Sequence, residues 1–257
     1  MTPTISAFTK PWKEQSLDEI CRLLQRIGFN GMEYCLREGY QIEPLQAQQE
    51  LIKLKNQCSG YGITLTSIAG PMNKEIFIAC SDARIPFIRT LVPLSIDAGF
   101  EKALEHGHQF IESFLGYAEK YKITVGIQLH TGSLINSSFE LYRLVSHYNS
   151  PYLRAIWDCA HSTLAGENPK TSLSILFPYL CSVNLKNVDY VQTDNPEQRW
   201  RSRIVTGKKG IANWPLIVSE LKTLGYSQNI TITHEYDNRL MLTNQLEEDC
   251  NYLKSLW

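Results

Sequence analysis

The sequence predicts an α/β fold, a single (β/α)8 TIM barrel, on three observations. Short runs rich in β-branched and aromatic residues alternate with longer segments of helical spacing. Eight of each occur along the chain, and 257 residues is the usual size of such a barrel. Strict alternation also requires a parallel sheet, because each helix is then the crossover between neighbouring strands. An open doubly wound sheet is the competing arrangement, but no GxGxxG follows the first strand to mark a dinucleotide site. No fixed-period repeat, low-complexity run or Pro/Gly/Ser linker divides the chain, so residues 1–257 are read as one domain.

The elements follow in order. Strand Thr4–Phe8 leads to helix Ser16–Ile27, which opens on a capping serine with Asp18 and Glu19 in its first turn and closes on Gly28. Strand Gly31–Cys35 precedes helix Leu45–Tyr61, whose end GYG leads into strand Thr64–Ala69. Helix Ile76–Ala83, strand Phe87–Val92 and helix Phe100–Tyr121 continue the pattern, with apolar residues three and four apart in each helix. Strand Thr124–His130, helix Ser138–Tyr148, strand Arg154–Cys159 and helix Thr171–Tyr179 come next. Strand Ser182–Val188, helix Asn213–Leu224, strand Ile230–Tyr236 and helix Leu242–Leu256 complete the series, with Gly225 stopping the helix before the last strand.

Composition narrows the function. Hydrophobic residues make up 43% of the chain, and Lys+Arg 25 against Asp+Glu 26 leaves a net charge of -1. That balance is against a nucleic-acid partner, since phosphate affinity needs clustered cations. No window approaches the roughly 18 apolar residues of a membrane span, so no membrane is expected either. The N-terminus MTPTISAFTKPWKEQS lacks the charged and apolar regions of a signal peptide. Seven dispersed cysteines, never spaced CxxC, read as reduced thiols of a cytoplasmic protein.

Polar residues gather where barrel enzymes keep their chemistry, at the C-terminal ends of strands. Period-two alternation turns Gln128 and His130 of TVGIQLH to the barrel mouth, with Ile127 and Leu129 facing the helices. Asp158 ends RAIWD and His161 lies just beyond it; Asn184 and Lys186 share one face of SVNLKN; Thr231, Thr233 and Glu235 share one face of ITITHEY. The second strand adds Glu33, in GMEYC. Each such residue alone is commonly a cap or a loop donor. Together they need a common partner, because buried polar groups cost free energy unless paired. His234 lies off this register and is read as a packing residue. Arg201 and Arg203, in the segment after the seventh strand, have the chemistry to hold a phosphate or carboxylate, and Trp12 is placed to line the pocket. A solvated charged loop is the alternative for the arginines.

These motifs resemble the xylose isomerase-like barrels, a superfamily of sugar isomerases, epimerases and dehydratases that also includes endonuclease IV. The resemblance rests on Gly28-Phe-Asn-Gly-Met-Glu33, the fifth-strand histidine segment, Asp158-x-x-His161, Asn184-x-Lys186-Asn187, Thr206-Gly-Lys-Lys-Gly210-Ile-Ala-Asn-Trp and the terminal Glu235. It implies a divalent Mn, Mg or Zn ion held by one residue from each of the last four strands, usually Glu, Asp, His and Glu. Those positions hold Gln128, Asp158, Asn184 and Glu235 here. Two anionic ligands are kept and two are replaced by amides, so either a weakened metal site or the loss of one is open. The resemblance also implies substrate contacts at His161 and Lys186, and at His130.

Gln128 cannot exchange a proton at any useful pKa, whereas Glu235 can. A symmetric two-base epimerisation is therefore handicapped. Aldose–ketose isomerisation or elimination needs only one base, here Glu235, with the metal, Lys186 or His161 polarising the carbonyl. The expected protein is a sugar (phosphate) isomerase- or epimerase-like enzyme, or a related dehydratase, acting on a small polyhydroxylated sugar-like molecule. A degraded barrel that binds a sugar or sugar acid without turnover is the alternative, favoured by Gln128 and Asn184. Exposed helix faces of a barrel would also suit a homo-oligomer.

Overall fold

The computed structural model describes residues 2–93, 99–237 and 239–257. Among these residues ten strands form: β1 (Thr4–Phe8), β2 (Gly31–Cys35), β3 (Thr64–Ala69), β4 (Phe87–Thr90), β5 (Thr124–Gln128), β6 (Leu153–Asp158), β7 (Leu180–Leu185), β8 (Asn187–Gln192), β9 (Trp200–Val205) and β10 (Asn229–Ile232). All except β8 and β9 pair in parallel with their chain neighbours, and β10 pairs with both β7 and β1 to close the barrel. The helices are α1 (Leu17–Ile27), α2 (Ala47–Gly60), α3 (Lys74–Asp82), α4 (Phe100–Tyr121), α5 (Ser138–His147), α6 (Cys159–Leu164), α7 (Pro169–Leu176), α8 (Trp214–Thr223) and α9 (Leu242–Leu256). None of the described helices is long and apolar enough to cross a membrane. The seven cysteines are free thiols.

Local sequence accounts for the helix ends. Ser16 and Glu19 form a reciprocal capping box, with the Glu19 carboxylate accepting from Ser16 N at 2.8 Å. Ile20, Cys21, Leu24 and Ile27 then bury one face of α1 against the barrel, and Gly28 closes the helix at φ 89, in the left-handed region. Ser137 and Glu140 repeat the capping box on α5. On the strands, Ile88, Val125, Ile127, Trp157 and Val183 are fully buried in the apolar layer beneath the helices.

The barrel floor is polar and self-satisfied. Ser6 donates to Asn229 at 2.6 Å and lies 3.0 Å from Thr66, while Asn229 donates to Ser182 at 2.9 Å and Thr231 at 2.8 Å. This girdle leaves the groups nearer the mouth as the ones that still seek partners.

The seventh and eighth barrel strands are shorter than their sequence predicts. β7 stops at Leu185, and the chain then forms an antiparallel hairpin, β8–β9, where a long loop was expected. Asn187 makes the break. Its amide donates to the carbonyls of Gly207 and Ala212, both at 2.8 Å, and its oxygen accepts from Val188 N at 2.9 Å and Ala212 N at 2.8 Å. Two carbonyls to satisfy require the amide; an aspartate could not donate to either. This clamp sits against Gly210, where an added Cβ would lie 2.1 Å from Asn187 Oδ1. Gly210→Ala is expected to destabilise the fold by about 1–3 kcal/mol through overpacking. A urea-unfolding midpoint equal to wild type would show that the clamp yields.

Candidate active site at the barrel mouth

A continuous polar chain crosses the mouth from β2 to the loop after β5. Glu33 Oε1 accepts from Ser67 Oγ at 3.1 Å and from Arg89 Nε at 2.9 Å. Arg89, whose guanidinium stacks 4.1 Å over the Phe8 ring, donates from Nη1 to Gln128 Oε1 at 2.6 Å. A guanidinium has donors only, so the Gln128 oxygen must face it and its NH2 must face the other way. That NH2 donates to Asp158 Oδ2 at 2.9 Å. The same oxygen takes the Lys186 ammonium at 3.3 Å. Lys186 Nζ lies 2.6 Å from His161 Nε2, and His161 Nδ1 lies 2.8 Å from the Thr131 hydroxyl.

Asp158 sits at the centre for a local reason. It is the last residue of β6 and the N-cap of α6, so its Oδ1 accepts from the backbone N–H of Ala160 at 3.1 Å and of His161 at 3.2 Å. Burial pushes its carboxyl up, but the Lys186 ammonium and the backbone N–H of His161 hold it below the usual carboxylate value. Burial drives His161 the other way, to about 3, so the ring is neutral. Its Nε2 faces the Lys186 ammonium, and its Nδ1 faces the backbone N–H of Thr131 at 3.2 Å. His130 stacks on His161 with ring centroids 3.9 Å apart, and its Nδ1 donates to the Thr131 carbonyl at 2.5 Å.

Glu235, just beyond β10, forms an ion pair with Lys10, two residues past β1. Burial raises its carboxyl, and Lys10, Lys186 and Arg89 together bring it below its ordinary value. Two cavities open at this end of the barrel. One of about 720 Å³ is lined by Lys10, Lys13, Tyr40 and Glu235; one of about 960 Å³ is lined by Arg89, Leu36, Gly70 and Asn73. Asn184 is buried with neither amide atom partnered, and the buried Thr233 hydroxyl is unpartnered as well.

The structure thus brings Glu33, Gln128, His130, Asp158, His161, Asn184, Lys186 and Glu235 to one end of the barrel. Trp12 and Arg203 line neither cavity, whereas Arg201 pairs with Asp237, which lines the same cavity as Lys10 and Glu235. Trp12 is buried, with its ring 4.4 Å from that of His234, which burial holds neutral with a pKa of about 4. Arg203 makes a two-pronged pair with Asp189 across the hairpin, and Arg201 pairs with Asp237 at 3.1 Å; both arginines are exposed. In this structure each arginine is paired with an aspartate, Arg203 across the hairpin and Arg201 with the segment after β10. Lys10 and Arg89 also reach the mouth, and sequence reasoning passed over both. Signals existed for both: Lys10 continues the inward register of Ser6 and Phe8, and Arg89 interrupts an apolar strand.

The residues do not suit a divalent ion. Among the described residues no three His, Cys, Asp or Glu side chains converge on one point. Of the four candidate donors, Asp158 and Glu235 each carry an ammonium partner, and Gln128 turns its oxygen to Arg89. Free capacity is left on the Asn184 amide and on the second oxygen of Glu235.

A second buried acid braces the rim. Asp249 of α9 accepts from Gly207 N at 2.6 Å and from the Tyr236 hydroxyl at 2.5 Å, and burial pushes its pKa up to about 7. A carboxyl with a raised folded-state pKa adds stability that is full below the ordinary value of 3.8 and is lost as pH rises through about 7. Neutral buried His161 and His234 act with opposite sign: stability falls as pH drops below the ordinary 6.5 toward their values of about 3 and about 4. Asp249→Asn is therefore expected to steepen the loss of stability between about pH 7 and 4. Unfolding free energies across that range check it; an unchanged slope would contradict the brace.

Comparison with known proteins agrees with this architecture. The probable 3-DHS dehydratase AsbF of petrobactin synthesis from Bacillus anthracis superposes with a TM-score of 0.78 at 18% identity, covering 99% of each chain. D-psicose 3-epimerase from Clostridium cellulolyticum H10, solved with D-tagatose, gives a TM-score of 0.74 at 13% identity, covering 98% of this chain and 99% of its own. The IOLI protein, solved with a zinc atom, gives 0.74 at 14% identity over 98% and 96% of the two chains. No curated protein sequence matches the chain. The family model for the xylose isomerase-like TIM barrel matches residues 21–256, and the chain belongs to that family.

Proposed function

We propose that the protein is a sugar isomerase- or epimerase-like enzyme that removes a proton next to a carbonyl on a small polyhydroxylated substrate, with Glu235 as the base. One observation carries this reading: the Glu235 carboxylate stands at the mouth in an ion pair with Lys10, and the charges of Lys186 and Arg89 help to hold its pKa below the ordinary value. Such surroundings weaken Glu235 as a base, yet they stabilise the negative charge that forms on the enediolate oxygens once the proton has moved. An ammonium fixed by Asp158 and His161 still has one N–H to offer, and a carbonyl oxygen of the substrate is its natural acceptor. Asn184 and Thr233 supply an amide and a hydroxyl with no other partners, which suits substrate hydroxyls.

Gln128 bears on the reaction type. Locked between Arg89 and Asp158, it has no proton to trade, so the site serves one-base isomerisation or elimination better than two-base epimerisation at one carbon. The structures named above include a probable dehydratase and an epimerase, in keeping with an isomerase- or epimerase-like reading. The saturated bonding of Gln128 also favours a second reading, a barrel that binds a sugar or sugar acid without turnover. Incubation with a panel of ketoses, aldoses and keto acids, analysed by chromatography, separates the two. Conversion of at least one compound is expected; saturable binding without conversion would establish the second reading.

A further inference from the structure

We propose that the Lys186 ammonium takes, in this barrel, the place and the charge that a divalent ion takes in its metal-holding relatives. The inference rests on reading the mouth as the functional site, and it concerns which cation the site is built around. Asp158 offers four acceptor directions, and all are filled: two by backbone N–H groups on Oδ1, two by Gln128 Nε2 and Lys186 Nζ on Oδ2. An ion could reach this carboxylate only by expelling the ammonium. Lys186, itself buried, would then lose the carboxylate it is paired with.

Arg89 fixes the choice from the other side. Its grip on the Gln128 oxygen points the NH2 of that amide at Asp158, where it repels a cation instead of helping to ligate one. Glutamate at 128 would accept from Arg89 equally well, but would set a second carboxylate against Asp158. The amide at 128 and the ammonium at 186 therefore belong to one design, and each makes sense of the other. The charges also close without an ion. Glu33, Asp158 and Glu235 are matched by Arg89, Lys186 and Lys10, so an added divalent ion would leave a largely buried mouth with two excess positive charges.

Titration of the full chain with Mn2+ alone, followed by the paramagnetic resonance of the free ion, tests this without any substrate. Wild type is expected to leave the ion free up to about 1 mM and to carry no stoichiometric metal after purification. Lys186→Met combined with Gln128→Glu removes the competing ammonium and returns a carboxylate, and should tighten Mn2+ binding by at least about tenfold. A stoichiometric ion in wild type, released by Asp158→Asn, would overturn the proposal, and so would a folded double variant that binds no better than wild type. Should the double variant fail to fold, the wild-type titration decides alone. Because the readout is metal binding, absence of turnover would count against the proposed reaction and leave this inference standing.

Discussion

Glu235→Gln is expected to lower turnover by about 10²–10⁴-fold while the protein stays folded. The substitution keeps the size of the side chain and removes only its ability to accept a proton. Glu235 is not a core group; its side chain is 27% exposed and its partner Lys10 is 39% exposed. Exposed pairs of this kind contribute little to stability, so melting temperature should hardly move. The expected signature is a fall in kcat with KM nearly unchanged, since the substrate would still meet Lys186, Asn184 and Thr233. Steady-state kinetics on any converted compound checks it. Activity within a few-fold of wild type would place the base elsewhere.

Asp158→Ala should act on the fold itself, with a cost of about 3–5 kcal/mol. Removing a buried partner leaves the remaining charge uncompensated, and here that charge is Lys186. The same change takes the acceptor from Gln128 Nε2 and the N-cap from α6. Asp158→Asn preserves shape and some capping, so its loss should be smaller. Chemical denaturation of both variants measures the difference; equal and small losses would mean that the polar chain across the mouth is not cohesive.

Much of the architecture was legible because amphipathic spacing and capping chemistry are local. Phe100–Tyr121 and Leu242–Leu256 form helices with the bounds their periodicity predicts, and Ser16 caps where it was expected to. The inward face of the last four strands was legible from alternation alone, because a period of two fixes which side chains share a face. The β8–β9 hairpin was not legible. Its strands carry charge and little burial, and its register is set by the Asn187 clamp and the Asp189–Arg203 pair, neither of which has a periodic signal. Helix α6 was missed because six residues are too few to show periodicity. At the site, residue types were readable but partners were not. Whether Gln128 faces an ion or an arginine depends on Arg89, thirty-nine positions earlier on the neighbouring strand.

Proton exchange at carbon measures the central chemical step directly. A ketose or keto acid taken from the panel above, incubated with the protein in D2O and excess chelator, should gain deuterium at the carbon next to its carbonyl, as read by proton resonance. Wild type is expected to catalyse this exchange at the same rate with and without chelator, and Glu235→Gln not to catalyse it. Exchange that requires added Mn2+, or that persists in Glu235→Gln, would contradict that expectation.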